Sequence, residues 1–165
     1  MVVVSNSSPL IYLAALSDFG MLQRLFGAIQ IPPAVWSEIV DQGAGLPGRE
    51  AARQAEAEGW LQVTELRVPA EPINSSGRTL HLGETEVIRL AEQLRADVLL
   101  MDDRLAVIYA RGRGFRVAPT IAIYIEAKRR RLLHSVKERV DYLRAAGFRL
   151  TDADYQAVLT AAGEL

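Results

Sequence analysis

The chain has 165 residues and a formal net charge of −1, and half of its residues are hydrophobic. This length is sufficient for one domain with a buried core. The chain contains no cysteine and only two histidines, His81 and His134, which excludes disulfides and argues against a zinc site. Any metal site would therefore consist of oxygen ligands.

The distribution of charge and apolar residues limits the class of protein further. The first five residues do not form a signal peptide, and no run reaches the roughly 18 apolar residues that a spanning helix needs. We therefore expect a cytoplasmic protein without a membrane partner. Residues 126–149 contain eight Lys or Arg against three acids. The acidic balance of the whole chain argues against a general nucleic-acid-binding protein, whereas this block leaves a basic groove open.

One strand and two helices are predicted at the start of the chain. Val2–Val4 is a β-branched run, which predicts a buried first strand. Ser5–Pro9 follows it and contains residues that cap helices, with a proline suited to the first helical turn. A second helix is predicted after Ser17 and Asp18, and it ends at Gly27.

The next predicted strand, Ile29–Ile31, precedes a helix that opens at Pro32-Pro33. Glu38 lies off the apolar stripe of this helix. The stripe consists of Val35, Trp36, Ile39 and Val40. The chain then continues with a loop over 43–48, an alanine-rich helix over 49–58 and a short strand over 60–63.

The central part of the chain contains the most distinctive strand. Residues 67–79 hold two prolines and several turn-forming residues, which predict a flexible loop with no second domain after it. After residues 80–84, the apolar positions Val87, Ile88, Ala91 and Leu94 predict an amphipathic helix that leads into the next strand. Val98–Met101 are four consecutive apolar residues and predict a strand buried on both faces. The carboxylates of Asp102 and Asp103 come directly after this strand.

Helices predominate in the last third of the chain. They are predicted over 104–111, from Thr120 to the basic run 128–131, at about 135–145 and at about 152–162, with one strand over 115–117. Strands that alternate with helices predict an α/β fold with a parallel sheet. We expect one domain over residues 1–165, with the helices of 135–162 as an appended element.

Side chains with oxygen ligands follow the predicted strands. Asn6 follows the first strand, Glu38 lies in the helix after the second, Glu84 opens a helix, and Asp102 and Asp103 follow the central strand. Ligands of parallel α/β sheets bind beyond the carboxyl ends of the strands. Carboxylates that converge there without His or Cys suit Mg²⁺ or Mn²⁺. Such a site can activate water and neutralise the charge of a phosphodiester.

Each of these residues also has a structural interpretation. Glu84 and Glu86 lie in a first helical turn, where the helix dipole favours acids whatever the function. Glu38 could belong to a solvated helix face. Residues suited to capping the start of a helix are Asn6, Asp102 and Asp103.

For the remaining candidate residues, the sequence favours structural roles. The basic run Lys128–Arg131 is interpreted as a solvated helix end stabilised by the dipole, with RNA contact as the alternative. His81 and His134 are interpreted as structural or surface residues. Trp36 and Trp60 fit core positions better than a base-stacking platform, since no basic cluster interleaves with them.

Four segments in this order resemble PIN domains, the nuclease fold of VapC-type toxins, and in particular a branch that opens Ser-Asn-Ser-Ser-Pro-Leu-Ile. The segments are residues 3–11, 31–40, 82–88 and 99–104, and residues 126–130 and 147–151 resemble the same branch. The resemblance covers nearly the whole chain. It implies a three-layer α/β/α fold with a central, mainly parallel sheet flanked by helices.

The resemblance also assigns the site. It implies that Glu38, Glu84 and Asp103 are the catalytic residues, with Glu86 as the alternative to Glu84. The cofactor would be Mg²⁺ or Mn²⁺. The implied metal ligands are Asn6, Glu38, Glu84, Asp102 and Asp103.

Asn6 is the position at which this chain departs from the family. PIN domains usually have Asp there, and an amide oxygen can coordinate Mg²⁺ but carries no charge and cannot act as a base. We therefore expect a weakened metal affinity. Ser8 would support the site by hydrogen bonds, as a small hydroxyl residue does in PIN domains.

The function implied by the resemblance is a metal-dependent endoribonuclease of the VapC toxin type, often dimeric and held inactive by an antitoxin protein. RNA would be the substrate, with Lys128, Arg129 and Arg130 as candidate backbone contacts. The alternative is a catalytically weakened PIN-like module that binds RNA or a partner protein. A response-regulator-like receiver is disfavoured because its acidic pair follows the first strand, where this chain has Ser5-Asn6.

Overall fold

The computed structural model describes all residues from 1 to 165. They form two compact units, Met1–Pro119 and Thr120–Leu165, which we call the first and second units. The strands, all in the first unit, are β1 (Val3–Ser5), β2 (Ile29–Ile31), β3 (Leu61–Val63), β4 (Asn74–Ser75), β5 (Arg78–Thr79), β6 (Val98–Leu100) and β7 (Arg116–Ala118).

Six α-helices belong to the first unit and three to the second. Those of the first unit are α1 (Ser7–Ala15), α2 (Phe19–Phe26), α3 (Pro33–Trp36), α4 (Pro47–Ala57), α5 (Leu82–Leu94) and α6 (Arg104–Gly112). Those of the second are α7 (Thr120–Arg129), α8 (Lys137–Ala145) and α9 (Asp152–Ala161). No helix combines the length and hydropathy needed to cross a membrane.

A five-stranded parallel sheet with the order β3-β2-β1-β6-β7 forms the centre of the first unit. The chain runs outward from β1 to β3, returns past β1 to β6 and then continues to β7. Because such crossovers are right-handed, α1, α2 and α4 lie on one face of the sheet and α5 and α6 on the other. The α/β class and its three layers, predicted from the sequence, are confirmed.

Burial follows from this layering. Val3, Val4, Leu99 and Leu100, on the two central strands, are completely buried, as strands covered on both faces require. Trp60 lies in the core, where its ring packs against that of Phe19 at 5.5 Å between centroids. Its predicted core position is confirmed. Trp36, by contrast, is only half-buried.

The segment predicted as an irregular loop over 67–79 contains a β-hairpin, so that prediction is wrong for its second half. Strands β4 and β5 pair in antiparallel fashion around Ser76-Gly77. Both turn residues have positive φ, 51° and 77°, which is the geometry of a two-residue type I′ turn. Ile73 and Leu80 are buried at its base. The sequence signal was present, because Ser-Gly dipeptides favour turns.

The helix predicted after Pro32-Pro33 is interrupted. It consists of α3 and a π-helical turn, Ser37–Asp41. Such turns often occur at functional sites, and this one contains Glu38. A Cβ atom at Gly43 would overlap the carbonyl oxygen of Ile39, so the exit from the turn requires glycine.

The side-chain carboxylate of Glu164, near the end of the chain, connects several parts of the second unit. Glu164 accepts hydrogen bonds from Lys128 Nζ, Ser135 Oγ and the backbone N–H groups of Val136 and Lys137. Although burial raises the pKa of Glu164, these hydrogen bonds outweigh it and hold the pKa at about 2. The single domain with appended helices over 135–162 stays a prediction; the compact second unit begins at Thr120.

Candidate active site

The candidate site lies between β1 and β6, where the order in which the chain adds strands to the sheet reverses. Chains that wind outward in both directions from two adjacent parallel strands leave a crevice at their carboxyl ends. The N–H of Asn6 donates to the carbonyl of Leu100 at 2.8 Å, which extends the β1–β6 pairing by one residue. Asn6 therefore lies beside the end of β6, from which Asp102 and Asp103 continue.

Asn6 and Asp103 both cap the helices that leave these strands. Asn6 is 5% exposed, and its Oδ1 accepts the N–H of Ser7 at the start of α1. Asp103 is exposed, and its Oδ1 accepts the N–H of Ala106 in α6 at 2.9 Å. The capping interpretation made from the sequence is confirmed for both residues.

Glu84 occupies the first turn of α5, where its Oε2 accepts the N–H of His81 at 3.0 Å, one half of a capping box. Its pKa is raised by burial and then by the nearby charge of Asp103, with a smaller contribution from Glu38. The hydrogen bond from His81 opposes this shift. Glu84 thus lies within electrostatic range of carboxylates from two other elements at this edge of the sheet.

Glu38 reaches the start of α5 from the π-helical turn. Its Oε2 accepts the hydroxyl of Ser7 at 2.5 Å, and its Oε1 lies 3.6 Å from Nδ1 of His81. A Cβ atom at Gly83 would overlap this Oε1. The carboxylate therefore lies directly against the backbone of α5, in a space that only glycine leaves open.

Asp102 and Asp103 act on different helices. Burial raises the pKa of Tyr12 in α1, and the charge of Asp102 raises it further. Asp103 instead raises the pKa of Glu84 in α5. Of the two neighbours, Asp103 is the one that belongs to the group of Glu38 and Glu84.

Ser8 and Glu86, predicted as supporting residues, form no hydrogen bond or ion pair with the three acids. The hydroxyl that bonds to Glu38 is that of Ser7, and Ser8 is half-buried beside it. Glu86 Oε2 accepts the N–H of Ala34 at 3.0 Å, a contact that joins α5 to the start of α3. Ser7 is thus a further supporting hydroxyl, and the supporting roles of Ser8 and Glu86 stay predictions.

The three candidate RNA-binding residues all bind carboxylates within the second unit. Arg129 and Arg130 contact Glu126 at 2.7 and 2.6 Å, and Lys128 contacts Glu164. The hydrogen bonds from the two arginines lower the pKa of Glu126 to about 2. Contact with RNA would therefore have to compete with these ion pairs.

Sequence reasoning missed three residues of the cluster. Ser7 was assigned only a capping context, Gly83 was not singled out, and His81 was interpreted as a structural or surface residue. His81 is 74% exposed and lies next to both Glu38 and Glu84. The available signal for all three was their position within three residues of a candidate acid or amide.

The donor set fits a hard divalent cation by its chemistry. Glu84 and Asp103 each use one carboxylate oxygen in the hydrogen bonds above, which leaves the second oxygen for an ion. Both oxygens of Glu38 already have neighbours, Ser7 at Oε2 and His81 at Oε1, so an ion at Glu38 would compete with His81. The repulsion between Glu84 and the other two carboxylates is also what a cation relieves. As positioned, no three His, Asp or Glu side chains stand close enough together to hold one ion. Binding would therefore require these side chains to draw together.

Comparison with known proteins identifies a family and a solved structure of similar fold. The family described as "DUF3368: PIN domain" matches residues 2–164. A solved PilT N-terminus domain protein from the hyperthermophilic archaeon Sulfolobus solfataricus P2 is similar in fold, with a TM-score of 0.50 and 16% sequence identity. That similarity covers 74% of this chain and 90% of the archaeal one. None of the curated proteins matches.

Proposed function

Because the chain belongs to the DUF3368 family of PIN domains, which are generally nucleases, we propose that it is a metal-dependent endoribonuclease of the VapC toxin type. The observation that carries this proposal is that Glu84 lies within electrostatic range of both Asp103 and Glu38 at the switch point of the sheet. Helix capping alone does not require three carboxylates to share one crevice.

PIN domains typically use divalent metal ions, and on this proposal Glu38, Glu84 and Asp103 hold Mg²⁺ or Mn²⁺. Asn6 adds a neutral amide oxygen, and Asp102 adjusts the charge from the side of α1. The bound ion would supply water activation and neutralise charge on the scissile phosphodiester.

The residues of the chain orient this site. Ser7 fixes one oxygen of Glu38, and the backbone of His81 fixes one oxygen of Glu84. The N–H of Ala106 does the same for Asp103. These hydrogen bonds hold the three side chains at the crevice, from which they would draw together around an ion.

The proposal is tested by cleavage of labelled single-stranded RNA in Mn²⁺. Wild type should cleave, whereas Asp103→Asn and Glu84→Gln should lose at least about tenfold in rate, the loss that follows from about 1.4 kcal/mol of transition-state stabilisation. Glu56→Gln is the matched control. Because Glu56 is exposed on α4, this variant should cleave RNA as wild type does. If wild type cleaves no better than Asp103→Asn, the nuclease proposal fails.

Asn6 favours a second candidate function, a catalytically weakened module that binds RNA or a partner protein. Its amide is neutral and its Oδ1 already caps α1. Asn6→Asp should tighten Mn²⁺ binding about tenfold in calorimetry, because an aspartate keeps the cap and adds a charge. Equal or weaker affinity would show that residue 6 does not face the ion.

On the first proposal the partners are an RNA substrate, an antitoxin protein and a second copy of the chain, in the cytoplasm. These follow from the VapC-type assignment and depend on it. The molar mass of the purified protein in solution tests for a second copy of the chain. The same measurement after co-expression with a small protein encoded next to it tests for an antitoxin. A monomer in both cases would exclude them under those conditions.

A further inference from the structure

The hairpin β4–β5 borders the candidate site on two sides. Its second strand leads through Leu80 directly to His81 and the first turn of α5. Its first strand contacts the start of α6, where Ser75 Oγ approaches the carbonyl oxygen of Leu105 at 3.4 Å. Leu105 is two residues beyond Asp103. The hairpin therefore connects the helix starts that carry Glu84 and Asp103.

One exposed arginine lies on the same face of the hairpin as Ser75, the residue that contacts α6. Arg78 pairs directly with Ser75 across the two strands. Directly paired residues of antiparallel strands project from the same face, with Cβ atoms about 5 Å apart. Because Ser75 faces α6, Arg78 projects from the face of the hairpin nearest Asp103. Its side chain is exposed and forms no hydrogen bond or ion pair.

A second unpaired arginine lies at the start of α6, the helix that the hairpin contacts. Arg104 is the first residue of α6, next to Asp103, and is likewise exposed without a hydrogen bond or ion pair. Arg89 and Arg113 of the first unit, by contrast, both bind Glu92. Arg78 and Arg104 thus lie without an ion pair on two elements, the hairpin and α6, that border the acidic crevice.

We propose that Arg78, on the hairpin, and Arg104, at the start of α6, form a two-point clamp for the sugar–phosphate backbone of single-stranded RNA beside the acids. Guanidinium groups bind phosphate oxygens in a forked geometry and position a strand without reading its sequence. The clamp rests on the proposed function for the nature of its ligand. It differs from the predicted basic contacts at Lys128, Arg129 and Arg130, which are already ion-paired.

RNA affinity measured without metal tests the clamp. A fluorescent single-stranded oligonucleotide is titrated in EDTA with wild type, Arg78→Ala, Arg104→Ala and the double variant, over a range of salt concentrations. Each single variant should weaken Kd about threefold to fivefold, the range expected for an exposed ion pair. The double variant should lower the slope of log K against log salt by about 1.4, or about 0.7 per lost phosphate contact.

Two variants separate the clamp from a general effect of charge. Arg111→Ala removes the same charge from the far end of α6, about 10 Å along the helix, and should leave Kd and slope unchanged. Arg78→Lys should restore the slope while recovering only part of the affinity, because lysine keeps the charge but not the fork. Far-ultraviolet circular dichroism and thermal denaturation check that each variant is folded.

The outcomes distinguish the clamp from the nuclease proposal. RNA binding that depends on Arg78 and Arg104, without cleavage in Mn²⁺, supports the clamp and refutes the nuclease. Cleavage by wild type together with unchanged Kd and slope in the double variant overturns the clamp alone. A wild type that does not bind the oligonucleotide, or a loss as large in Arg111→Ala, also overturns it.

Discussion

Glu84 is the residue at which capping and site chemistry can be told apart. An acid in the first turn of a helix ordinarily has its pKa lowered by the helix dipole and by the hydrogen bond of the cap. The pKa of Glu84 is raised instead, by burial and by the charge of Asp103. Its carboxylate is therefore in an environment that disfavours its charge, although the cap is formed. Capping alone does not account for its placement.

The difference in stability between the Glu84→Gln variant and wild type should depend on pH. The folded-state pKa lies above the unfolded value near 4.5, so the ionised side chain costs stability above the folded pKa, and this cost disappears below the unfolded pKa. Glutamine keeps the cap and removes the charge. In EDTA at pH 7, thermal denaturation should show a Tm about 2 °C higher than wild type, since the exposed part of the side chain is screened.

The pH series provides the control for this prediction. The difference in Tm between Glu84→Gln and wild type should shrink as the pH falls through the raised pKa and vanish below about pH 4. Glu56→Gln, which changes an exposed glutamate of α4, should follow wild type throughout. A variant that is less stable than wild type at pH 7 in EDTA would contradict the electrostatic interpretation.

At the scale of elements, the site depends on how the π-helical turn fits against α5. The turn presents Glu38 to the backbone of α5 at Gly83, and Ser7 at the start of α1 donates to the same carboxylate. Three elements thus meet at one side chain. Glycine lowers helix stability by about 1 kcal/mol relative to alanine. At position 83 its missing side chain leaves the space that the carboxylate of Glu38 occupies.

A double-mutant cycle tests this fit. In wild type, Gly83→Ala should change the free energy of unfolding by less than about 0.5 kcal/mol, because the gain in helix propensity is offset when Glu38 is displaced from Ser7. In a Glu38→Ala background, the same substitution should stabilise the protein by about 1 kcal/mol. Urea denaturation of the four proteins gives the coupling energy. Equal effects in both backgrounds would show that Glu38 and residue 83 do not interact.

For the whole molecule, the sequence predicted the fold better than the contacts. The runs Val2–Val4 and Val98–Met101 could be interpreted because buried parallel strands are continuously apolar, and the strand–helix alternation then determines the architecture. Long-range contacts such as the one between Glu38 and Ser7 could not be predicted, since they depend on the exact packing of elements distant in sequence. The hairpin was missed because its strands are only two residues long.

The two-unit organisation predicts how a metal ion stabilises the molecule. Every candidate ligand lies between Asn6 and Asp103, within the first unit, whereas the second unit has its own carboxylate network around Glu164. A ligand that binds only the folded site stabilises it by about 2.7 kcal/mol at 100 times Kd. In calorimetry, Mn²⁺ should therefore raise the Tm of the first unit by about 5–10 °C. If the units unfold separately, the second transition should not move. Asp103→Asn should abolish the shift and Glu56→Gln should retain it, and a shift of equal size in Asp103→Asn would place the ion elsewhere.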